Sequence, residues 1–366
     1  MPSSTSSEID KQWMRLAIYY ARQGLGRTAP NPSVGCVIVN NGSVVAACRT
    51  SNNGRPHAES NALQKAESAA EGATAYVTLE PCNHHGKTPP CAEALVKAGI
   101  RRVVIGCKDS APHVNGSGIE FLKDHGLEVA EGVLEDQCTD LARGFFLSVN
   151  EQRPLITLKI ASTLDGKIAT SKGESKWITG EQARRYAHKE RLEHDAILVG
   201  INTALKDNPS LTARYPGTQK SMIRVILDSS LKIPVESKLV QTAGDTPLWI
   251  FYERDENGKL PALESQGVTL FRIKSLRDLQ KTLKKLAGKG ITRLLVEGGA
   301  GIHTSFLQAG FVDRLLWFRA PCVLGGDALD CTGDMNIGAL QEKLDFRLIS
   351  ERTLGPDRLE IFEKGG

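Results

Sequence analysis

The chain is poor in several things that would have announced a function at once. Aromatic residues make up only 5% of its 366 residues, and no lysine–arginine run is interleaved with them. The usual footprint of a nucleic-acid-binding surface, a basic stripe with stacking platforms, is therefore missing. The net charge is +4 and is spread along the chain, which gives no support to a polyanionic partner. No apolar run reaches the ~20 residues that cross a bilayer as a helix. The Ser/Thr-rich start, Ser3 to Ser7, has no apolar centre and reads as a frayed end, not a signal peptide. Cysteine is not scarce, with eight copies, but only Cys82 and Cys91 form a recognisable spacing. Cys36, Cys48, Cys107, Cys138, Cys322 and Cys331 mostly lie in apolar runs and read as small core residues in a reducing compartment. A cytoplasmic protein with no membrane contact is expected. What remains, 40% hydrophobic and 24% charged residues, is an ordinary soluble composition, on a chain long enough for two domains.

Against this plain background one stretch stands out: His57-Ala58-Glu59, then Pro81-Cys82, then Cys91 nine residues later. An imidazole and two thiolates form a zinc set that leaves one tetrahedral position open, and they cancel the charge of Zn²⁺. Glu59 lies two residues from the histidine, where a carboxylate can shuttle protons beside an activated water. The order is that of zinc deaminases acting on cytosine or adenine rings, which usually have two residues between the cysteines; here there are eight. The alternative is a purely structural zinc site with His84 or His85 as fourth ligand. Glu59 argues against it, since a closed site has no use for an adjacent carboxylate.

Hydrophobic periodicity predicts an α/β protein. A helix from Glu8 to Arg22 precedes a hairpin, Cys36 to Val39 and Val44 to Cys48, turning at Asn41-Gly42. A helix over 58–70 carries His57 and Glu59 at its start, where the helix dipole favours thiolates and hydroxide-like water. Strands at 75–79, 103–107 and 127–130 alternate with helices at 91–98, 119–125 and 136–150. Glu151-Gln152-Arg153-Pro154 is polar and ends in proline, so domains 1–150 and 151–366 are expected. The second alternates again: strands at 155–161, 196–200, 223–227, 248–252, 268–271, 294–296 and 315–318, helices at 181–191 and 276–286 and one ending at Ala309. The Glu297-Gly298-Gly299-Ala300-Gly301 turn joins a strand to a helix and can cradle a phosphate, or be only a tight connection. It is not the Gly-x-Gly-x-x-Gly dinucleotide fingerprint. His113, His125, His188 and His194 read as ordinary surface or capping residues.

Longer motifs carry a resemblance over nearly the whole chain. Pro30-Asn31-Pro32-x-Val34-Gly35, His57-Ala58-Glu59 and the run from Thr78 through Glu80-Pro81-Cys82-x-His84-His85-Gly86-x-Thr88-Pro89-Pro90-Cys91 resemble the bifunctional deaminase-reductases of bacterial riboflavin biosynthesis. So do Leu158-Lys159-x-Ala161-Ser162-x-Leu164-Asp165-Gly166, Gly173-Glu174-Ser175-x-Trp177-Ile178-Thr179, Asp207-Asn208-Pro209-x-Leu211-Thr212-x-Arg214, Leu227-Asp228-Ser229 and Val296-Glu297-Gly298-Gly299. The resemblance implies a cytidine-deaminase-like zinc domain followed by a dihydrofolate-reductase-like domain. The first would hydrolyse an amino group from the ring of 2,5-diamino-6-(5-phosphoribosylamino)pyrimidin-4-one. The second would use NADPH to reduce the ribosyl group of 5-amino-6-(5-phosphoribosylamino)uracil to ribityl. It implies Zn²⁺ on His57, Cys82 and Cys91 with Glu59 as shuttle, and deaminase substrate contacts near Asn31, His84, Lys87 and Asp109. It implies NADP contacts at Ala161, Trp177, Thr203, Asp207, Ser229 and a loop of Gly299, Ala300, Gly301, Ile302, His303, Thr304 and Ser305. Reductase substrate contacts would fall on Ser175, Arg191, Leu211, Arg214 and Glu297, with Arg191 and Arg214 as phosphate anchors. Lys159 is a candidate to position the sugar or supply a proton. The family associates through its reductase domain, so a homo-oligomer is expected.

Two departures stand out. Asp109-Ser110-Ala111 replaces a common Asp-Pro-Asn, with Asn115 a possible substitute contact, and Thr50 replaces a histidine common ahead of the His-Ala-Glu helix. The competing readings are a zinc nucleobase deaminase fused to an unrelated nucleotide-binding domain, and a catalytically silent protein keeping a zinc fold.

Overall fold

A computed structural model of the chain describes residues 8–84, 89–110 and 116–365. It divides into two compact units, Met1–Arg153 with Gly290–Thr292, and Pro154–Lys289 with Arg293–Gly366.

The first unit is built on a five-stranded sheet. Helix α1 (Glu8–Arg22) buries Met14, Ala17, Ile18 and Ala21, the 3–4 spacing of one helical face. Strands β1 (Gly35–Asn40) and β2 (Ser43–Arg49) form the hairpin. Asn41 and Gly42 both take positive φ, as a tight two-residue turn between right-twisted strands requires. Helix α2 (Ala58–Ala66) leads to β3 (Thr74–Leu79), α3 (Cys91–Lys97), β4 (Arg102–Cys107), α4 (Ser117–Asp124), β5 (Glu128–Ala130) and α5 (Glu135–Asn150). The order is β2-β1-β3-β4-β5. β3, β4 and β5 run parallel, while β1 is antiparallel to both its neighbours. Residues 75–79 and 103–107 are buried without alternation, as central parallel strands covered on both faces must be.

The helix expected over 58–70 is shorter than the periodicity predicts. It ends at Ala66, and Glu67 at φ 48° turns the chain into a 3₁₀ turn over Glu67–Ala70. The side-chain amide of Asn40 donates to the carbonyls of Ala69 and Glu71 at 2.9 and 3.1 Å, holding the segment off the helical path.

The second unit carries a nine-stranded sheet. Its elements are β6 (Leu155–Ser162), β7 (Lys167–Ala169), α6 (Glu181–Leu192), β8 (Ala196–Gly200), α7 (Ile201–Asp207), β9 (Ala213–Tyr215), β10 (Thr218–Lys220) and β11 (Ile223–Leu227). There follow α8 (Lys238–Gln241), β12 (Leu248–Tyr252), α9 (Leu260–Ser265), β13 (Thr269–Arg272), α10 (Leu279–Gly288), β14 (Arg293–Val296) and α11 (Ala300–Gln308). The chain closes with β15 (Arg314–Arg319), β16 (Leu329–Asp330), β17 (Phe346–Leu354) and β18 (Asp357–Lys364). The order is β13-β12-β11-β8-β14-β6-β15-β18-β17, parallel from β13 to β15, after which an antiparallel hairpin completes the edge. The first strand, β6, lies inside the sheet between β14 and β15. This is the arrangement that opens a crevice at the carboxyl ends of parallel strands.

Two expectations change here. The helix predicted from Leu276 starts at Leu279: Asp278 caps it by accepting from the Lys281 N–H, and the Leu276 N–H is spent on Glu253 Oε1 at 2.7 Å. The hairpin β17–β18 has no counterpart in the predicted elements. β17 is an edge strand, largely exposed on both faces, so no alternation marks it. The local signal was Gly355-Pro356, the two-residue turn between the paired Leu354 and Asp357, with Gly355 at φ 68°.

The glycine ending the Pro30–Gly35 motif has a mechanical cause. A Cβ at Gly35 would stand 1.9 Å from the Ala17 carbonyl oxygen, so α1 can lie this close to β1 only over glycine. Gly35→Ala is expected to cost about 1–3 kcal/mol by overpacking, seen as a lower urea midpoint. An unchanged midpoint would show that α1 can shift freely.

Candidate active sites

Three chain segments bring the metal-ligating atoms together in the first unit. His57 is the extended residue capping α2, Cys82 follows the end of β3, and Cys91 is the first residue of α3. The His57 Nδ1 lies 3.7 Å from Cys82 Sγ and 3.4 Å from Cys91 Sγ, and all three donor atoms fall within 4.8 Å of one another. Among the described residues no other group of three such side chains gathers this way. One nitrogen and two sulfurs at this spacing match the donor set of a catalytic zinc, with a fourth position for water. The Cys91 N–H donates to Cys82 Sγ at 3.4 Å. The Cys82 thiol is brought down to about 4, first by the Cys91 side chain and then by His57 and the Cys91 N–H, against the effect of burial. It is thus held as the thiolate that metal binding needs.

Glu59, in the first turn of α2, is 4% exposed. Burial, and after it the negative charge of Cys82, pushes its carboxyl up to about 7. Such a group can both take and give a proton near neutral pH. Of the alternative fourth ligands, His84 is exposed and outside the donor group, while His85 lies outside the described residues.

The rest of the motif builds the frame. Glu80, itself buried, accepts from the N–H groups of Asp109, Gly116, Gly118 and Ile119 at 2.9–3.3 Å. One carboxylate thereby ties Asp109, just after β4, to Gly116 and the start of α4. The Asn31 amide donates to the Gly54 carbonyl at 2.9 Å. Thr50, where the family commonly has histidine, is 1% exposed and accepts from the Val34 N–H at 3.0 Å, a structural use. Asp109 is buried, and Ser110 accepts from the Asn150 amide at 3.0 Å. Lys87, His113 and Asn115 lie outside the described residues.

In the second unit a cleft of about 710 Å³ opens at the carboxyl ends of β6, β8 and β14. It brings together Lys159, Ala161, Ser175, Trp177, Arg191, Thr203, Asp207, Leu211, Glu297, Gly299, Ala300 and His303 from the predicted set. Gly301, Ile302, Thr304 and Ser305 follow on α11 but do not line it, and neither do Ser229 and Arg214. The hydroxyls of Thr304 and Ser305 bond back to the carbonyls of Ala300 and Gly301, each at 2.8 Å. The Ser229 carbonyl accepts from the N–H groups of Glu253 and Arg254. Arg214 is exposed on β9, and its N–H donates to His188 Nδ1 at 3.3 Å.

Several motif residues prove to be scaffold. Asn208 adopts the left-handed conformation that closes α7 and accepts from the Lys238 N–H at 2.9 Å. Asp228, fully buried, accepts from the N–H groups of Lys232 and Ile233. Gly298 at φ 147° lets the chain turn from β14 into α11, leaving first-turn N–H groups at the cleft.

Charge in the cleft centres on Glu297 and Arg191. The guanidinium grips the carboxylate at 2.8 and 2.9 Å and donates also to the Thr212 carbonyl at 3.0 Å. Burial works to raise the Glu297 carboxyl, but Arg191, with help from Lys159, overrides it and brings it to about 2. The Lys159 ammonium is pushed down from its ordinary range by burial and stands 5.7 Å from the Phe318 ring centre. Trp177 is 70% exposed at the rim, with the Arg184 guanidinium 4.4 Å from its ring centre.

His188 differs from expectation, while His194 caps the end of α6 but is buried. His188 lines the cleft. His194 is buried between the Glu190 carbonyl at 2.7 Å and the Thr157 hydroxyl at 2.9 Å. A single histidine on the polar helix α6 carries no sequence mark of a cleft position. Asn202, Lys206 and Thr332 also line the cleft, on segments too short or irregular to be placed by periodicity.

The two units define a zinc deaminase joined to a dihydrofolate-reductase-like reductase. The cytidine and deoxycytidylate deaminase zinc-binding region matches residues 7–107, and the RibD C-terminal domain matches residues 154–359. The chain belongs to the RibD family, the bifunctional deaminase-reductases of riboflavin biosynthesis. It is 43% identical to the riboflavin biosynthesis protein RibD of Aquifex aeolicus, over 98% of this chain and 99% of that one. It is 36% identical to the Escherichia coli protein of the same name, over 95% and 97%. Among solved structures, Acinetobacter baumannii RibD superposes with a TM-score of 0.89 at 36% identity, covering 98% and 99% of the two chains. The Thermotoga maritima diaminohydroxyphosphoribosylaminopyrimidine deaminase/5-amino-6-(5-phosphoribosylamino)uracil reductase gives 0.86 at 35% identity, covering 98% and 99%. Among the described residues no helix is long and apolar enough to cross a membrane.

With this donor set, the purified protein is expected to carry a single zinc per chain, and Cys91→Ser to lose it by elemental analysis along with deamination. Full zinc content in that variant would remove Cys91 from the ligand set.

Proposed function

We propose that the first unit hydrolyses the ring amino group of 2,5-diamino-6-(5-phosphoribosylamino)pyrimidin-4-one and that the second reduces the ribosyl group of the deaminated product. The observation that carries this reading is one chain holding both a three-donor metal set beside a buried carboxylate and a cleft built on Lys159, Arg191 and Glu297.

Zinc held by His57, Cys82 and Cys91 would acidify a water so that a nucleophile is available near neutral pH. Glu59 takes the proton from that water and delivers it toward the departing amine. As the aminated ring carbon becomes a carbonyl, one hydrogen of the water leaves with the amine as ammonia and the other ends on the adjacent ring nitrogen. Asn31 offers a donor and an acceptor to the pyrimidinone edge, and His84, Lys87 and Asp109 complete the proposed contacts.

NADPH would supply the hydride to C1 of the opened sugar. Lys159, its ammonium made more acidic by burial, gives the proton that the sugar oxygen needs. Three of the five N–H groups of Arg191 are committed to Glu297 and Thr212, so it shapes the substrate wall. Arg214, exposed beside His188, is the phosphate anchor, and Ser175, Leu211 and Glu297 complete the substrate side. Ala161, Trp177, Thr203, Asp207, Ser229 and the 299–305 segment make up the cofactor side. A cytoplasmic homo-oligomer associating through the second unit fits this reading.

Mass spectrometry of the diaminopyrimidinone substrate incubated with protein, first alone and then with NADPH, tests the two reactions in order. Glu59→Gln is expected to keep zinc and lose deamination by at least roughly 10²–10⁴-fold, while its NADPH oxidation on deaminated substrate stays near wild type. Retained deamination within about tenfold would exclude Glu59 as the shuttle. Arg214→Ala is expected to weaken binding of the deaminated substrate by about 1.5–3 kcal/mol, the value of a charge-assisted contact. Ammonia release should be unchanged in that variant; equal losses in both assays would contradict the division of chemistry between units.

A further inference from the structure

One buried polar atom in the reductase cleft has no partner among the described residues. His303, in the first turn of α11, is 1% exposed and lines the cleft with Lys159, Glu297 and Phe318. Its Nδ1 lies 2.7 Å from the Cys331 carbonyl oxygen. A carbonyl only accepts, so Nδ1 carries the hydrogen and Nε2 presents a lone pair. That Nε2 is buried and has no hydrogen-bond partner among the described residues. Burial brings the imidazole down to about 4, so it is neutral at working pH and Nε2 stays an acceptor. Left unmade, such a bond is costly; an acceptor fixed this way calls for a donor from a ligand.

We propose that His303 Nε2 accepts a hydrogen bond from the carboxamide N–H of the nicotinamide, and so fixes which face of the ring meets the sugar. This rests on the reductase reading above. Placement favours the nicotinamide over the substrate. The first N–H groups of α11 follow Gly299 and suit the cofactor's pyrophosphate. His303 sits four residues further on, about 6 Å along the helix, and the nicotinamide is one ribose away from the pyrophosphate. On the other side of the cleft the Glu297 carboxylate is already paired at both oxygens by Arg191.

The test compares dissociation constants, by titration calorimetry, for NADP⁺ and its 3-acetylpyridine analogue, which keeps the carbonyl but replaces the amide nitrogen by a methyl group. Wild-type protein should bind the analogue about 5- to 100-fold more weakly, the range for an acceptor left unsatisfied. In His303→Phe the two nucleotides should bind alike. A preference for NADP⁺ that survives in His303→Phe overturns the proposal while leaving the reductase reading intact; failure of wild-type protein to bind either nucleotide overturns both. Because that variant also loses the bond to Cys331 and can misfold, a second measurement uses wild-type protein labelled with ¹⁵N-histidine. At pH 5.5 His303 remains neutral, and its unprotonated nitrogen should shift on adding NADP⁺ and not on adding the analogue. Equal responses to both nucleotides overturn the proposal.

Discussion

The first unit depends on holding three donor atoms within 4.8 Å of one another although they come from sequence positions 57, 82 and 91. Two sulfurs of like charge gain from this closeness only with a cation, an imidazole and backbone N–H groups around them. The fold supplies the last two from helix starts, where N–H groups are free of intrahelical partners. Much of the surrounding motif serves that placement. Glu80, next to the cysteine turn, gathers the N–H groups of Asp109, Gly116, Gly118 and Ile119. Gly35 lets α1 press on β1.

The second unit solves a different problem. It must bind anionic ligands in a cleft whose wall contains a buried carboxylate. Pairing Glu297 bidentately with Arg191 removes the cost of an isolated charge and leaves the nearby Lys159 ammonium only partly compensated. The cleft follows from topology: β6 lies between β14 and β15, and the strand ends there leave room that packed helices do not fill.

Much of this was legible in the sequence, for identifiable reasons. Strands such as Ala196–Gly200, Ile223–Leu227 and Leu248–Tyr252 are short apolar runs buried on both faces, and their limits coincide with expectation. The gathering of His57, Cys82 and Cys91 was legible because zinc chemistry restricts residue type and spacing together. The edge hairpin was not, because an exposed strand has no burial pattern to display. Nor were the cleft contacts of His188, Asn202 and Lys206, since their roles arise only when distant segments meet. Motif spelling also cannot separate contact from scaffold: Asn208 stands between the cleft-lining Asp207 and Pro209 yet, like Asp228 in its own motif, spends its side chain on backbone N–H groups.

The Arg191–Glu297 pair has a consequence for how the cleft behaves as a charged object. A carboxylate brought down to about 2 opposite a guanidinium raised above its ordinary value does not titrate anywhere near physiological pH. Its folded-state value lies below its unfolded one, so the pair's contribution to stability is complete above the free carboxylate range and fades only as pH falls toward 2. The wall is electrically constant, a fixed dipole against which changes of protonation on Lys159, His188 and the incoming phosphates are felt. The reductase cleft is thus an electrostatic reference frame, set at folding and indifferent to the proton traffic its own chemistry creates.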